Sequence, residues 1–415
     1  MGAANGNDRL HGLDAVRGYA LMLGIVYHAT MSFLPGPQIW VVRDTHSSLF
    51  LSGLFFVSHM FRMATFFLIA GFFGHMVVEK RGVKAFVKDR AKRIALPLVV
   101  GWPILFAAIV GASIYGAYVS SGHMPIAQEH AAHAPPSPFL AFPLTHLWFL
   151  YLLLWFYAAA LGLRALVLRL DTTGRFRARA DTVLATIVES RFAPAALALP
   201  GALAMGFTGH GLAWFGIQTP DSSLLPNVPA LVAYFTAFGF GWLLHRQSGM
   251  MNIWARRWPF HLVLAIALTA DCLRIAGVIP HVTPSPIGPQ RLLYSGIYSL
   301  ATWNWILAAI GLALKYLSKE SPSRRYVADS SYWLYLIHLP IVMVLQAMVA
   351  KLNLPAEVKI LIVLGVAFPL MFASYQLMVR RSFIGAILNG RRAAPKSKKG
   401  SVTSAPRLAQ PEPAE

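Results

Sequence analysis

The sequence predicts an all-α protein, a polytopic transmembrane helical bundle of about ten spans with both termini cytoplasmic. Three observations carry this. Of 415 residues, 56% are hydrophobic and only 13% charged, with a mean hydropathy of +0.56, whereas a soluble chain carries about 25% charged residues. Apolar runs of seventeen or more residues recur from end to end, close to the roughly 20 that cross a bilayer as a helix. The segments between them alternate between basic and non-basic. The runs are continuous rather than alternating in polarity, which argues against a membrane β-barrel.

The expected spans are 13–34, 52–78, 93–118, 146–168, 191–208, 224–245, 257–278, 292–316, 329–350 and 356–380. The first is read as a retained helix: Asp8, Arg9 and Asp14 stand before or at its start, and no small-residue cleavage site follows. The fifth is the weakest, short and interrupted by Pro194 and Pro200. Segment 79–93 holds Lys80, Arg81, Lys84, Lys88, Arg90, Lys92 and Arg93, and segment 164–191 is similarly arginine-rich. Arg246, Arg256 and Arg257 follow the sixth span, and Lys315, Lys319, Arg324 and Arg325 follow the eighth. Segments 119–145 and 209–223 contain no Lys or Arg. This alternation places the basic segments in the cytoplasm. It also accounts for the formal charge of +20 without a nucleic-acid partner.

The domain reading is a cytoplasmic segment over 1–12, a membrane domain over 13–380, and a basic, disordered tail over 381–415. The single Cys272 leaves no disulfide framework and no CxxC site. The outer-loop histidines His123, His130 and His133 lack a compact zinc spacing, so no metal site is expected.

Ionisable residues inside spans are costly and usually face a bundle interior or a water-filled cavity. In "LDAVRGYALMLGIVYHA", Arg17 and His28 are eleven residues apart. A helix turns about 1100° over that distance and rises roughly 16 Å, so the two share a stripe without touching. Asp14 is placed to pair with Arg17. Each residue has a bland reading: a snorkelling anchor for Arg17, a backbone-bonded histidine for His28. In the second span His59 and Arg62 share a face, and His75 reads as packing. Arg90 and Arg93, three apart, either grip phosphate oxygens or form a topogenic cluster. Asp271 and Arg274 either neutralise each other or face a cavity. His338 lies in the ninth span. There is no GxSxG elbow, Walker A loop or credible HExxH motif, so His28 would act as a general base on a bound substrate.

Five stretches together resemble the acyltransferase type 3 family of integral membrane proteins. Arg17 and His28 resemble its R-x10-H signature. "FFLIAGFF" (66–73) is similar to its second-span motif, and "RAKR" (90–93) to its R-x-x-R element. "HLWFLYLLL" (146–154) and "SYWLYLIHLP" (331–340) complete the set in family order. Within the family, "FRMATFFLIAGFF" (61–73) and "THLWFLYLLL" (145–154) look most like the glucans biosynthesis protein C branch, which is associated with succinylating periplasmic glucans. Ala70 stands where the wider family often has Ser. No fused hydrolase-like domain is expected after the tenth span.

The resemblance implies a multi-pass enzyme of the bacterial inner membrane. It would have no permanently bound cofactor, acyl-CoA (succinyl-CoA or acetyl-CoA) as donor and a glycan as acceptor. His28 would be the catalytic base, and Arg17, Arg90 and Arg93 would hold the donor. His59, Arg62, Asp271 and Arg274 are expected on the acceptor side, with His338 in support. The alternative is a secondary transporter of a lipid or sugar. Transporters usually carry an internal repeat, and none is clear here.

Overall fold

The computed structural model describes residues 6–122, 141–208 and 213–389. His123, His130, His133 and the tail from 390 lie outside them. The described chain is all-helical, without a strand. The helices are α1 Gly6–Thr30, α2 Leu49–Arg90, α3 Leu96–Ser121, α4 Trp148–Leu170, α5 Arg175–Glu189, α6 Ala193–Phe207, α7 Val228–Leu244, α8 Asn252–Ala276, α9 Pro289–Tyr316, α10 Pro322–Ala350, α11 Ala356–Ser374 and α12 Phe383–Leu388.

Each expected span lies on a helix. By length and apolar composition, six stretches of the described residues qualify to cross a membrane: Leu49–Ser121, Thr145–Leu170, Val228–Ala276, Pro289–Tyr316, Pro322–Ala350 and Ala356–Val379. Two of these each hold two expected spans, because α2 and α3, and α7 and α8, are joined by tight helical turns instead of open loops. α1 is not among the six, since Asp14, Arg17 and His28 dilute its apolar run. The short α6 qualifies only together with α5, from which it bends by 106°. The chain is an integral membrane protein.

Local chemistry sets the helix ends. Ser48 accepts from the Leu51 backbone N–H at 3.2 Å, Asn227 from Ala230 at 2.9 Å, and Ser321 caps α10 in the same way. The basic segment 79–93, expected as a loop, is helical. It breaks only at Gly82, whose φ of 77° suits glycine, and Phe86 anchors it by burial. Asp171 caps α5 by accepting from the backbone N–H groups of Phe176 (3.1 Å) and Arg177 (2.9 Å). Burial opposes the Asp171 charge, but these bonds and the Arg177 guanidinium hold its carboxyl below the usual range. The expected tail begins as α12, with Leu388 buried.

α9 runs through the centre against α8, α6, α1 and α2, while α10 packs on α1 and α3. The loop after α1 is tied to α11 by a buried ion pair: Lys359 donates to both Asp44 oxygens, at 2.7 and 2.9 Å. This pairing is what lets two charges sit inside the bundle.

Candidate active site

Three cavities follow one another through the bundle. The first, about 440 Å³, is lined at its basic end by Arg17, Arg90 and Arg93. The second is a waist of about 40 Å³ lined by His28, Arg62, His146 and His338. The third, about 530 Å³, opens beyond His28, Arg62 and His146 toward Asp221 and Trp40. Leu21, Phe66, Phe149 and Tyr335 wall both the basic cavity and the waist. His28, Arg62, His146 and Trp148 wall both the waist and the far cavity. Beside the basic cavity lies a further one of about 490 Å³, reached past Arg17 and lined by Lys319, Arg324 and Arg325.

The waist is a histidine cluster built by α1, α10 and the turn before α4. His338 sits between His28 and His146, with ring centroids 5.1 and 5.2 Å away. Pro340 supplies the reason His146 is held there. A proline has no N–H, so the carbonyl four residues earlier loses its helical donor. That carbonyl belongs to Leu336, and His146 Nε2 donates to it at 2.9 Å. The Tyr335 hydroxyl fixes the same residue by donating to the His146 carbonyl at 2.6 Å. Thr145 adopts a φ of 51°, unfavourable for a β-branched residue. Its N–H is held by the Asp221 carbonyl at 3.0 Å. His338 Nδ1 donates to the Tyr335 carbonyl at 2.7 Å. In a neutral ring this leaves Nε2 as an acceptor; Nε2 is buried without a partner, as is Nδ1 of His28. Gln346 braces the end of α1 by donating to the His28 and Ala29 carbonyls, both at 3.0 Å.

Arg62 differs from the other buried arginine. Arg291 donates to the Met205, Thr208 and Ser285 carbonyls and closes the end of α6. Arg62 has no carboxylate partner and no hydrogen bond among the described residues, and its Nη1 is fully enclosed. Its guanidinium lies over the Tyr27 ring, 4.2 Å from the centroid, a contact worth about 2 kcal/mol when desolvated. His59 is bound to the Ile217 carbonyl at 3.0 Å and stacks near Tyr27 and Phe55. At the far cavity Asp221 accepts from the Thr219 hydroxyl at 3.3 Å. Asp221 is itself exposed at the cavity rim, but the protein crowded around it excludes enough water to push its carboxyl above the usual range.

At the basic end Arg17 pairs with Asp14 at 3.2 Å. Arg90 and Arg93 flank Asp89 at 3.6 Å each. Arg93 Nε donates to the Leu388 carbonyl at 3.0 Å, while Arg90 Nε has no hydrogen-bond partner and its guanidinium lies over Phe86 and Tyr157.

A family profile described as an acyltransferase domain matches residues 10–376. The chain belongs to the acyltransferase 3 family. Among similar proteins are "Glucans biosynthesis protein C" of Escherichia coli K12 and of Shigella dysenteriae serotype 1. Each is 33% identical over 93 residues, covering 22% of this chain and 24% of the relative. The match thus spans about a quarter of those relatives. No solved structure matches.

On this acyltransferase scaffold, Arg17, Arg90 and Arg93 meet at the basic cavity, and His28, Arg62 and His338 at the waist. His59 lines the far cavity. Asp271 and Arg274 are not brought there: they pair with each other at 3.1 Å on an exposed face of α8 and line none of these cavities. Sequence reasoning did not single out His146, Tyr335 or Asp221 as site residues. For His146 and Tyr335 a signal existed, since both fall in the motif stretches "HLWFLYLLL" and "SYWLYLIHLP".

Proposed function

We propose that this chain is a membrane O-acyltransferase. It moves an acyl group, succinyl before acetyl, from cytoplasmic acyl-CoA to a hydroxyl of a periplasmic or cell-surface glycan. The bundle sits in the bacterial inner membrane with ten spans and both termini cytoplasmic, so the basic cavity faces the donor pool. The similarity to glucans biosynthesis protein C is the basis for choosing a glucan as acceptor.

The observation that carries this reading is the row of adjacent cavities, sharing walls, from the arginines to the histidines. The donor's phosphates rest among Arg17, Arg90 and Arg93, with Lys319, Arg324 and Arg325 beside them. Its flexible arm passes Leu21 and Phe149 to bring the thioester to the waist. The glycan hydroxyl arrives through the far cavity. His28 takes the hydroxyl proton as the oxygen attacks the thioester carbonyl. The tetrahedral intermediate collapses with cleavage of the C–S bond, and His28 returns the proton to the departing CoA sulfur. His338 stands beside His28 with a free acceptor nitrogen, suited to orient the imidazolium. Arg62, buried without a counter-charge, is the partner for the terminal carboxylate of a succinyl group.

The direct test supplies the purified protein with succinyl-CoA labelled in the acyl group and with glucan. Label on glucan together with a stoichiometric rise in free CoA thiol supports the reading. Movement of substrate across proteoliposomes without label transfer would support the transporter instead.

A further inference from the structure

Away from the cavities, at the end of the bundle that carries segment 79–93, α2 and α7 bring three ligating side chains together. We propose that His75, Glu79 and His245 bind one divalent ion of the zinc class, which clamps α2 to α7.

The backbone dictates the meeting. The two helices touch main chain to main chain: a Cβ at Gly71 would lie 2.0 Å from the Phe238 carbonyl oxygen, and one at Gly241 1.9 Å from that of Leu68. His75 and His245 each follow those glycines by four residues, one helical turn on and on the same face. Glu79 comes a further turn after His75. The three ligating atoms lie within 4.8 Å of one another. His75 Nε2 is 3.5 Å from one Glu79 oxygen, and His245 Nδ1 is 3.2 Å from the other. Ligand atoms on a tetrahedral zinc, each about 2.0–2.1 Å from the ion, are separated by roughly 3.4 Å.

The tautomer of His75 argues for a cation. Its Nδ1 lies 2.6 Å from the Trp242 carbonyl, and the ring stacks on the Trp242 indole. A carbonyl only accepts, so Nδ1 carries the hydrogen and neutral Nε2 turns a lone pair toward the carboxylate. Two acceptors then face each other at 3.5 Å, and His245 Nδ1 makes no hydrogen bond among the described residues. A metal ion resolves all three at once. A histidine that donates its other nitrogen to a carbonyl is also the usual way a ligating ring is oriented. The nearby Arg246 is neutralised by Asp181 at 2.6 Å, and half-exposed Glu79 leaves a path for entry. Two imidazoles and one carboxylate suit zinc, with water completing the shell.

The experiment uses the full chain in detergent, stripped with chelator and titrated with Zn2+ by calorimetry and with Co2+ by visible absorption. One equivalent per chain is expected, with the intense bands of a tetrahedral cobalt site. Glu79→Gln and His245→Ala should each weaken zinc binding at least ~10-fold, while unfolding temperatures without metal stay near wild type. Glu79→Gln lies at a half-exposed position and serves as the safer variant. Absence of stoichiometric uptake would mean that the cluster holds only a proton and would overturn the proposal. So would uptake that both variants leave unchanged.

Discussion

The imidazole rings of His28 and His338 lie 5.1 Å apart at the waist, and each buries one nitrogen without a hydrogen-bond partner. In the proposed function this pair carries the proton transfer, with the open nitrogens as its acceptors. His28→Ala should therefore reduce acyl transfer to the glycan by at least ~100-fold, the scale of a lost general base. The variant should elute and unfold like wild type. Near-normal label on the acceptor would sink the role given to His28.

Pro340 and His146 supply a second test. Alanine at 340 restores an N–H that bonds the Leu336 carbonyl within α10 and competes with His146 for it. Pro340→Ala should leave the unfolding temperature level or higher, because an interior proline costs a helix about 3 kcal/mol. Turnover should fall ~5- to 10-fold, the worth of one net hydrogen bond of about 1 kcal/mol in positioning. Unchanged turnover would show that the His146 contact does not position the site.

These residues mark where the sequence stops being readable. Apolar runs and basic segments placed helices at all ten expected segments, because hydropathy is a local property. Helix geometry put Arg17 and His28 on one stripe, and the cavities run along it. The meeting of His146 with the Leu336 carbonyl, 190 residues away in sequence, is tertiary: Pro340 frees the carbonyl, but nothing local names its partner. Charge density in 79–93 read as a loop, yet its residues form helix readily and Phe86 supplies the anchor. For Asp271 and Arg274 an i,i+3 spacing gives a pair but not the direction in which α8 turns it.

Arg90 and Arg93 separate donor binding from topology. Replacing both with Gln should weaken acyl-CoA binding by ~10-fold or more, as expected when charge-assisted hydrogen bonds to phosphate are lost. Free CoA should lose a similar factor, because in the proposed complex these groups hold the nucleotide handle that both share. Equilibrium binding to the detergent-purified variant measures both. Unchanged affinities would leave the two arginines as anchors that set orientation alone.

Asp221 gives a pH dependence whose sign is fixed. Its carboxyl is raised by loss of water, so folding favours the protonated form. The associated stability is fully present below the ordinary carboxyl value of about 3.9 and is lost as pH rises through the raised value. Asp221→Asn does not titrate. The unfolding temperature of wild type should thus fall relative to the variant between acid and neutral pH. A wild type that gains on the variant over that range would show instead that the ionised carboxylate is held by a cation.

In the proposed function Arg62 is the residue on which acyl specificity turns. Burying an unpaired guanidinium costs several kcal/mol, offset here in part by Tyr27, whereas the same bundle gives Arg291 backbone carbonyls to bond. The proposal gives this open charge an anionic group of the donor as its partner. Arg62→Met should raise the unfolding temperature, because it removes the uncompensated charge while keeping an apolar stem. It should also lower kcat/KM for succinyl-CoA by ~10- to 100-fold, the value of a charged hydrogen bond of about 1.5–3 kcal/mol. Transfer from acetyl-CoA, which has no terminal carboxylate, should change far less. Equal losses with both donors would place Arg62 at the tetrahedral oxyanion instead of at the succinyl carboxylate, and only the comparison of the two donors distinguishes these positions.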